Sequence, residues 1–280
     1  MPMGVPPLTP RALRTRWAVA RLERIARRTD DGGDAVGPFG PVSAMGLRFA
    51  SPVGLAAGFD RRGRLLGDAQ RLGLGAVEIG TLARADGCPV LPRRAAGGVR
   101  CGVSIGRPRH VGWDDAEHAC LRVLRAAHAG ADYVTLNPGR DCPSPARFAD
   151  LAGAAVQLRD RLARHRRRPL PLVAKLPSRW FDGDAASLIA VADVFVAAGV
   201  DGLLVSTEGH DARRNACATL RVLSAAIDPR VCLISVGGID SLDEAEARLA
   251  AGATLVQVHR ALLAHDSWLL RALRRHAPGR

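Results

Sequence analysis

The sequence predicts an α/β fold, a (β/α)8 TIM barrel with a short N-terminal helical extension. Three observations carry this. Eight short apolar runs, many of them rich in β-branched residues, recur between residues 53 and 260, and helical patterns separate most of them. A hook recurs before three of the runs: Ala129-Gly-Ala-Asp132, Ala198-Gly-Val-Asp201 and Ala251-Gly-Ala-Thr254. In each, the glycine can end a helix and the next residues begin a buried strand. The seventh run, Val231 to Val236, leads into Gly237-Gly238 and a helix capped by Ser241. Repeated βα units imply parallel strands, and eight imply closure into a barrel. A doubly wound open sheet is the alternative, but no G-x-G-x-x-G turn accompanies it.

In chain order, residues 1–40 form a basic extension and residues 41–280 the barrel. Thr9-Pro10 is a helix start, with threonine as N-cap and proline at the first helical position. Leu13, Trp17, Leu22 and Ile25 then mark an apolar face between arginines. Two readings stay open: an amphipathic helix resting on a membrane surface, or a helix packed on the domain's own exterior. Asp30-Asp-Gly-Gly-Asp34 and Gly37-Pro-Phe-Gly-Pro41 read as a linker. Strands are predicted over Val53–Gly58, Ala76–Thr81, Cys101–Gly106 and Tyr133–Asn137, then Leu170–Leu176, Gly202–Thr207, Val231–Gly237 and Thr254–Arg260. Helices are predicted around 63–72, 113–129, 146–165, 184–198, 211–227, 241–250 and 261–276. The interval 82–100 is loop-like.

The net charge of +13 invites a nucleic-acid partner, but the pattern does not support one. Lys175 is the single lysine, and the arginines spread over most predicted helices. That distribution reads as solvated faces, and no zinc-finger or RNA-binding signature accompanies it. None of the six cysteines, Cys88, Cys101, Cys120, Cys142, Cys217 and Cys232, belongs to a C-x-x-C pair, so no metal site is expected. A reduced, cytoplasmic compartment fits this usage. No apolar run approaches the roughly 20 residues of a membrane span, and the start of the chain lacks a continuous apolar signal region. Peripheral placement at the inner face of the cell membrane is the variant if the first helix rests on lipid.

In a (β/α)8 barrel, chemistry sits at the carboxyl ends of the strands. Those ends carry Ala56-Ala57-Gly58, Thr81, Ser104, Asn137, Lys175, Ser206-Thr207, Gly237-Gly238 and His259-Arg260. Gly237-Gly238 is either a backbone anion site or a turn whose glycines serve only packing. Small residues early, a lysine midway and a diglycine turn late suit a flat phosphorylated cofactor, such as flavin mononucleotide (FMN). Lys175 ends an apolar run, so its stem lies among packed side chains. It is either a cation for a reduced flavin or a strand-end lysine reaching for solvent.

At this point a resemblance emerges. Pro41-Val-Ser-Ala-Met-Gly-Leu-Arg-Phe-Ala-Ser-Pro-Val-Gly-Leu-Ala-Ala-Gly-Phe-Asp-Arg-Arg-Gly63 resembles the barrel entry of dihydroorotate dehydrogenases, particularly the quinone-using class. Glu78-Ile-Gly-Thr81, Gly102-Val-Ser-Ile-Gly106, Ala174-Lys175, Val236-Gly-Gly-Ile-Asp240 and Ala251-Gly-Ala-Thr-Leu-Val-Gln257 are similar to that family in order and spacing.

The resemblance implies FMN as cofactor and oxidation of dihydroorotate to orotate in pyrimidine biosynthesis, with quinone as acceptor and the first helix near a membrane. It assigns Ala56, Ala57 and Gly58 to flavin contact by backbone. Thr81, Ser104, Asn137, Lys175 and Ser206 line the cofactor, Gly237 and Gly238 hold its phosphate, and His259 and Arg260 stand where the family has a phosphate-holding pair. Arg61, Asn137, Ser144 and Thr207 fall on substrate positions, Arg61 in place of a family lysine and Ser104 in place of an asparagine. In the loop Asn137-Pro-Gly-Arg-Asp-Cys-Pro-Ser144, an ungapped register puts Arg140 on the catalytic base. A two-residue insertion keeps the family proline and puts Cys142 there, alongside Lys175 as the second catalytic group. Cys142 as an incidental buried thiol is the other reading. The family's asparagine-rich substrate loop is absent from Arg94–Cys101. An altered substrate or a non-catalytic binding role is therefore the alternative function.

Overall fold

Eight parallel strands close on themselves. The structure, a computed structural model, describes residues 10–28, 39–88, 98–166, 168–180 and 184–263, together with Leu269 and Ala272. Helix α1 (Pro10–Arg28) leads to a hairpin, β1 (Val42–Ala44) and β2 (Leu47–Phe49). The barrel follows with β3 (Val53–Leu55), β4 (Ala76–Leu82), β5 (Arg100–Gly106), β6 (Tyr133–Asn137), β7 (Leu172–Pro177), β8 (Gly202–Ser206), β9 (Cys232–Val236) and β10 (Leu255–Val258). Each strand pairs with its neighbour in sequence, and β10 pairs with β3 to close the ring. The helices are α2 (Ala116–Ala127), α3 (Pro145–Leu162), α4 (Ala185–Ala197), the short α5 (His210–Arg214), α6 (Ala216–Ala226) and α7 (Leu242–Ala250). The (β/α)8 fold read from the sequence is thus the observed one, with all eight predicted strands in place.

One predicted helix is absent. A helix is expected around 63–72, but that segment forms turns and a 3-10 turn at Gln70–Leu72. Gly63 sits at φ +71°, outside helical geometry. The expected helix 261–276 lies mostly outside the described residues, as do residues 30–38 of the linker and 89–97 of the loop. Among the three hook glycines, Gly199 and Gly252 take positive φ, and Gly130 does not.

The hairpin of β1 and β2 is absent from the sequence reading, and it closes the amino end of the barrel. Met45 and Gly46, at φ +53° and +69°, form a turn with the dihedral signs of type I′. Ala44 and Phe49 are buried with the inward-facing residues Tyr133, Val173, Leu204 and Leu255. The Phe49 and Tyr133 rings lie 6.3 Å apart between centroids. Gly102 on β5 makes room for the Tyr133 ring, since a Cβ there would stand 2.2 Å from its Cζ.

Helix α1 packs on the barrel's outside. Ala18, Val19, Leu22 and Ala26 are buried, so the packed reading accounts for that face. The Arg64 guanidinium donates to both carboxylate oxygens of Glu23, and Arg21 donates to the Leu262 carbonyl at 2.8 Å. Leu13 and Trp17 remain outside, Trp17 at 70% exposure.

Candidate functional site

The carboxyl ends of the strands surround a cavity of about 810 Å3, within the usual range for small-molecule sites. Its wall is built strand by strand. After β3, Ala56, Ala57 and Gly58 contribute small side chains and backbone. Gly58 donates its N–H to the Gly80 carbonyl at 2.8 Å. From β4, β5 and β6 come Thr81, Ser104 and Asn137, joined in one chain of hydrogen bonds. The Asn137 amide donates to Thr81 Oγ1 at 3.1 Å, and Thr81 Oγ1 lies 3.1 Å from Ser104 Oγ. The Asn137 carbonyl oxygen accepts from Gly139 N–H at 3.0 Å, which fixes the orientation of its amide. Lys175 enters from β7, Thr207 follows β8, Gly237 and Gly238 follow β9, and His259 and Arg260 follow β10.

Below these lies a buried carboxylate that no sequence-level assignment covered. Glu78 is 2% exposed and reaches the cavity floor. Its Oε2 accepts from Gln257 Nε2 at 2.8 Å and from Thr135 Oγ1 at 2.9 Å. Burial raises the Glu78 pKa above the ordinary carboxylate range, against the opposing pull of the Gln257 and Thr135 donors and the Lys175 charge. Glu78 and Gln257 both belong to the motif blocks quoted above. Their inward register on β4 and β10 is the signal that would have paired them.

The diglycine turn is fixed from behind by another residue that sequence reasoning missed. Arg248 on α7 is 0% exposed. Its Nη1 donates to Thr207 Oγ1 and to Ser235 Oγ, both at 3.1 Å, and Glu244 Oε1 accepts from its Nε at 2.6 Å. Thr207 Oγ1 in turn donates to the Gly237 carbonyl at 2.9 Å. A Cβ on Gly237 would meet the Thr207 and Glu208 backbone at 3.0–3.1 Å, so the turn is pressed against β8. An arginine four residues after an acidic one on a short helix reads as an exposed i,i+4 pair. Only the packing of α7 against β10 turns it inward.

Four sequence-assigned residues stand outside the cavity lining. Ser206 is buried within the wall at the end of β8. Arg61 is exposed on the turns after β3. Ser144 caps α3 and accepts from Arg147 N–H at 3.1 Å. Cys142 is buried, and its thiol donates to the Ser144 carbonyl at 3.4 Å. Burial pushes its pKa up to about 11, which keeps it a protonated thiol at neutral pH. The loop 138–144 is held by bonds to residues outside the lining: Arg107 pairs with Asp141, and Arg179 donates to the Gly139 carbonyl at 2.8 Å. None of residues 138–144 is in the lining, whereas Asn137, at the end of β6, is.

Small residues, a cation and a braced diglycine turn around one cavity suit a flat ring system carrying a phosphate. Fold and lining together define a (β/α)8 barrel of the phosphorylated-cofactor class. The profile of the family "Dihydroorotate dehydrogenase" matches residues 196–277, from the last two residues of α4 through β10 and onward. A curated relative in Alkalilimnicola ehrlichii, "Dihydroorotate dehydrogenase (quinone)", is 30% identical across 83% of this chain and 84% of its own length. A relative of the same name in Thermobifida fusca is 30% identical across 90% of this chain and 81% of its own. The solved structure of DHODH from Eimeria tenella in complex with ferulenol superposes with a TM-score of 0.71. At 19% identity, covering 98% of this chain and 92% of that one, it speaks to the fold. The chain belongs to the dihydroorotate dehydrogenase family.

Proposed function

We propose that this chain is an FMN-dependent oxidoreductase of the quinone-using dihydroorotate dehydrogenase type, converting dihydroorotate to orotate. One observation carries the reading. Ala56–Gly58, Lys175 and Gly237–Gly238, far apart in sequence, converge on one cavity of a family barrel. The donor set fits FMN: a polar chain of Thr81, Ser104 and Asn137, cations at Lys175 and Arg260, and backbone at the diglycine turn. When bound, FMN supplies the acceptor for a hydride leaving the substrate's CH–CH unit.

The chain's residues do the rest. Gly237 and Gly238 offer backbone N–H groups to the phosphate, with Arg248 holding the turn in place. Lys175 would supply positive charge to a flavin held in this cavity, favouring its reduced, more negative form. Asn137 and Thr207 orient the substrate. Glu78, in the cavity floor, would stay protonated to higher pH than a free carboxyl, with the Lys175 charge opposing that rise.

Helix α1 supports a membrane-surface role for the end that carries Leu13 and Trp17. These two residues lie one helical turn apart and exposed, with exposed Arg14 and Arg16 beside them. A quinone would reach the enzyme from that side. No helix among the described residues is long and apolar enough to cross a membrane. Sedimentation with anionic lipid vesicles tests this, and Leu13→Ala/Trp17→Ala should release the protein into the supernatant. Equal sedimentation of both proteins would reject it.

The visible spectrum of the purified protein, before and after anaerobic addition of dihydroorotate, tests the main reading. Bound flavin that bleaches is expected. Failure to bind flavin even when FMN is supplied would sink it. Flavin that stays oxidised would move the protein to a second reading, a family member with an altered substrate. The withdrawal of loop 138–144 from the cavity favours that second reading.

A further inference from the structure

The corner of the cavity beyond the diglycine turn holds an arginine that neither the motifs nor the family positions account for. Arg213, on α5, lies flat against Gly238. A Cβ on Gly238 would stand 2.7 Å from Arg213 Cγ, 2.8 Å from Cδ and 3.1 Å from Nε. The absent side chain is therefore what admits the arginine stem. Its Nη2 donates to Asp240 Oδ1 at 2.7 Å, and the two side chains are 45% and 55% exposed. Arg213, Asp240, Gly237, Gly238 and Arg260 all line the same cavity. The adjacent Arg214 points elsewhere and pairs with Asp211 at 2.8 Å.

An ion pair this exposed is weak, because water screens both charges. A phosphomonoester dianion competes well for such an arginine. It brings twice the charge of one carboxylate and accepts the planar guanidinium fork through two oxygens. Asp240 sits two residues after the turn and holds the arginine beside the diglycine backbone. Arg260, on the next strand end, adds a second positive charge to the corner. Glycine at 238 thus has two uses: the turn needs its φ of +72°, and the arginine needs its missing side chain.

We infer that Arg213 is the residue by which this protein recognises the phosphate of its cofactor, with Asp240 as a resting partner that the phosphate displaces. The inference rests on the FMN reading above and adds a side-chain ligand to it.

Equilibrium binding of FMN and of riboflavin, which lacks the phosphate, tests it on the full chain freed of flavin, read by quenching of flavin fluorescence. Arg213→Ala should weaken FMN binding about tenfold or more while changing riboflavin binding less than about twofold. Arg213→Lys should fall between, because a point charge replaces the fork. Asp240→Asn removes the competitor, so FMN binding should be retained or tightened. An unchanged FMN-to-riboflavin ratio in Arg213→Ala would overturn the inference and leave the FMN reading standing. Equal weakening of both flavins would overturn it in the same way, by assigning Arg213 to the fold. Failure of the unaltered protein to bind either flavin would sink both together.

Discussion

The two sides of the barrel mouth are built on opposite plans. On the side of β8, β9 and β10, buried bonds point at the cavity wall. Arg248 ties Thr207 and Ser235 together, and Thr207 holds the Gly237 carbonyl. In the loop after β6, the bonds join residues outside the lining. Arg107, Arg179 and the Ser144 carbonyl hold Asp141, Gly139 and Cys142 outside the lining. The first side preserves a place for a cofactor. The second uses the segment where a catalytic base is expected as a structural loop. The braced turn and the structural loop thus hang on different strands of one barrel.

Four substitutions break or sharpen this contrast. Arg248→Ala should have the largest effect. It leaves Glu244 without its cation and Thr207 and Ser235 without their donor, at a cost on the order of 3 kcal/mol. The urea midpoint should fall, and FMN binding should weaken with it; an unchanged midpoint would mean the turn stands without its brace.

Glu78→Gln addresses the floor shared by both sides. The folded protein holds the Glu78 proton at pH values where the unfolded chain has released it. Stability therefore falls as pH rises from the ordinary glutamate range through the raised value. The glutamine variant should lose that slope, so its advantage over the parent grows with pH in thermal melts. Parallel curves would refute the burial argument. Ser144→Ala removes the α3 cap and should cost about 1 kcal/mol in urea unfolding, with flavin content unchanged. Cys142→Ser should have the smallest effect. Its rate of flavin reduction should stay within about twofold of the parent, whereas loss of a general base typically costs about 100-fold or more. A loss of that size would return the loop to the active site.

The barrel was legible because its strands are continuous apolar runs, as buried parallel strands must be. The run Tyr133–Asn137 matches its strand residue for residue. The hairpin at 42–49 was not legible. Its strands are three residues long, and its turn is Met-Gly where Asn-Gly or Asp-Gly would have signalled one. At the site, Lys175 and the two glycines were legible because strand-end position alone places them in the mouth. Arg213, Arg248 and Glu78 were not. Each depends on a distant partner: Gly238 for the first, Thr207 for the second, Gln257 for the third. Cys142 shows the opposite limit. A motif register can align a residue with a role, but the side chain's direction depends on loop bonds that no spacing encodes.

Lys175 is the chain's single lysine, and it lines the cavity. Apart from its α-amino group, the protein therefore presents one primary amine to an acylating reagent, and that amine belongs to the cavity lining. Mass spectrometry of the intact protein could then act as an occupancy meter. One acyl group on the side chain would report an empty mouth, and protection would report a filled one. The arginine-rich remainder of the chain stays silent to the reagent.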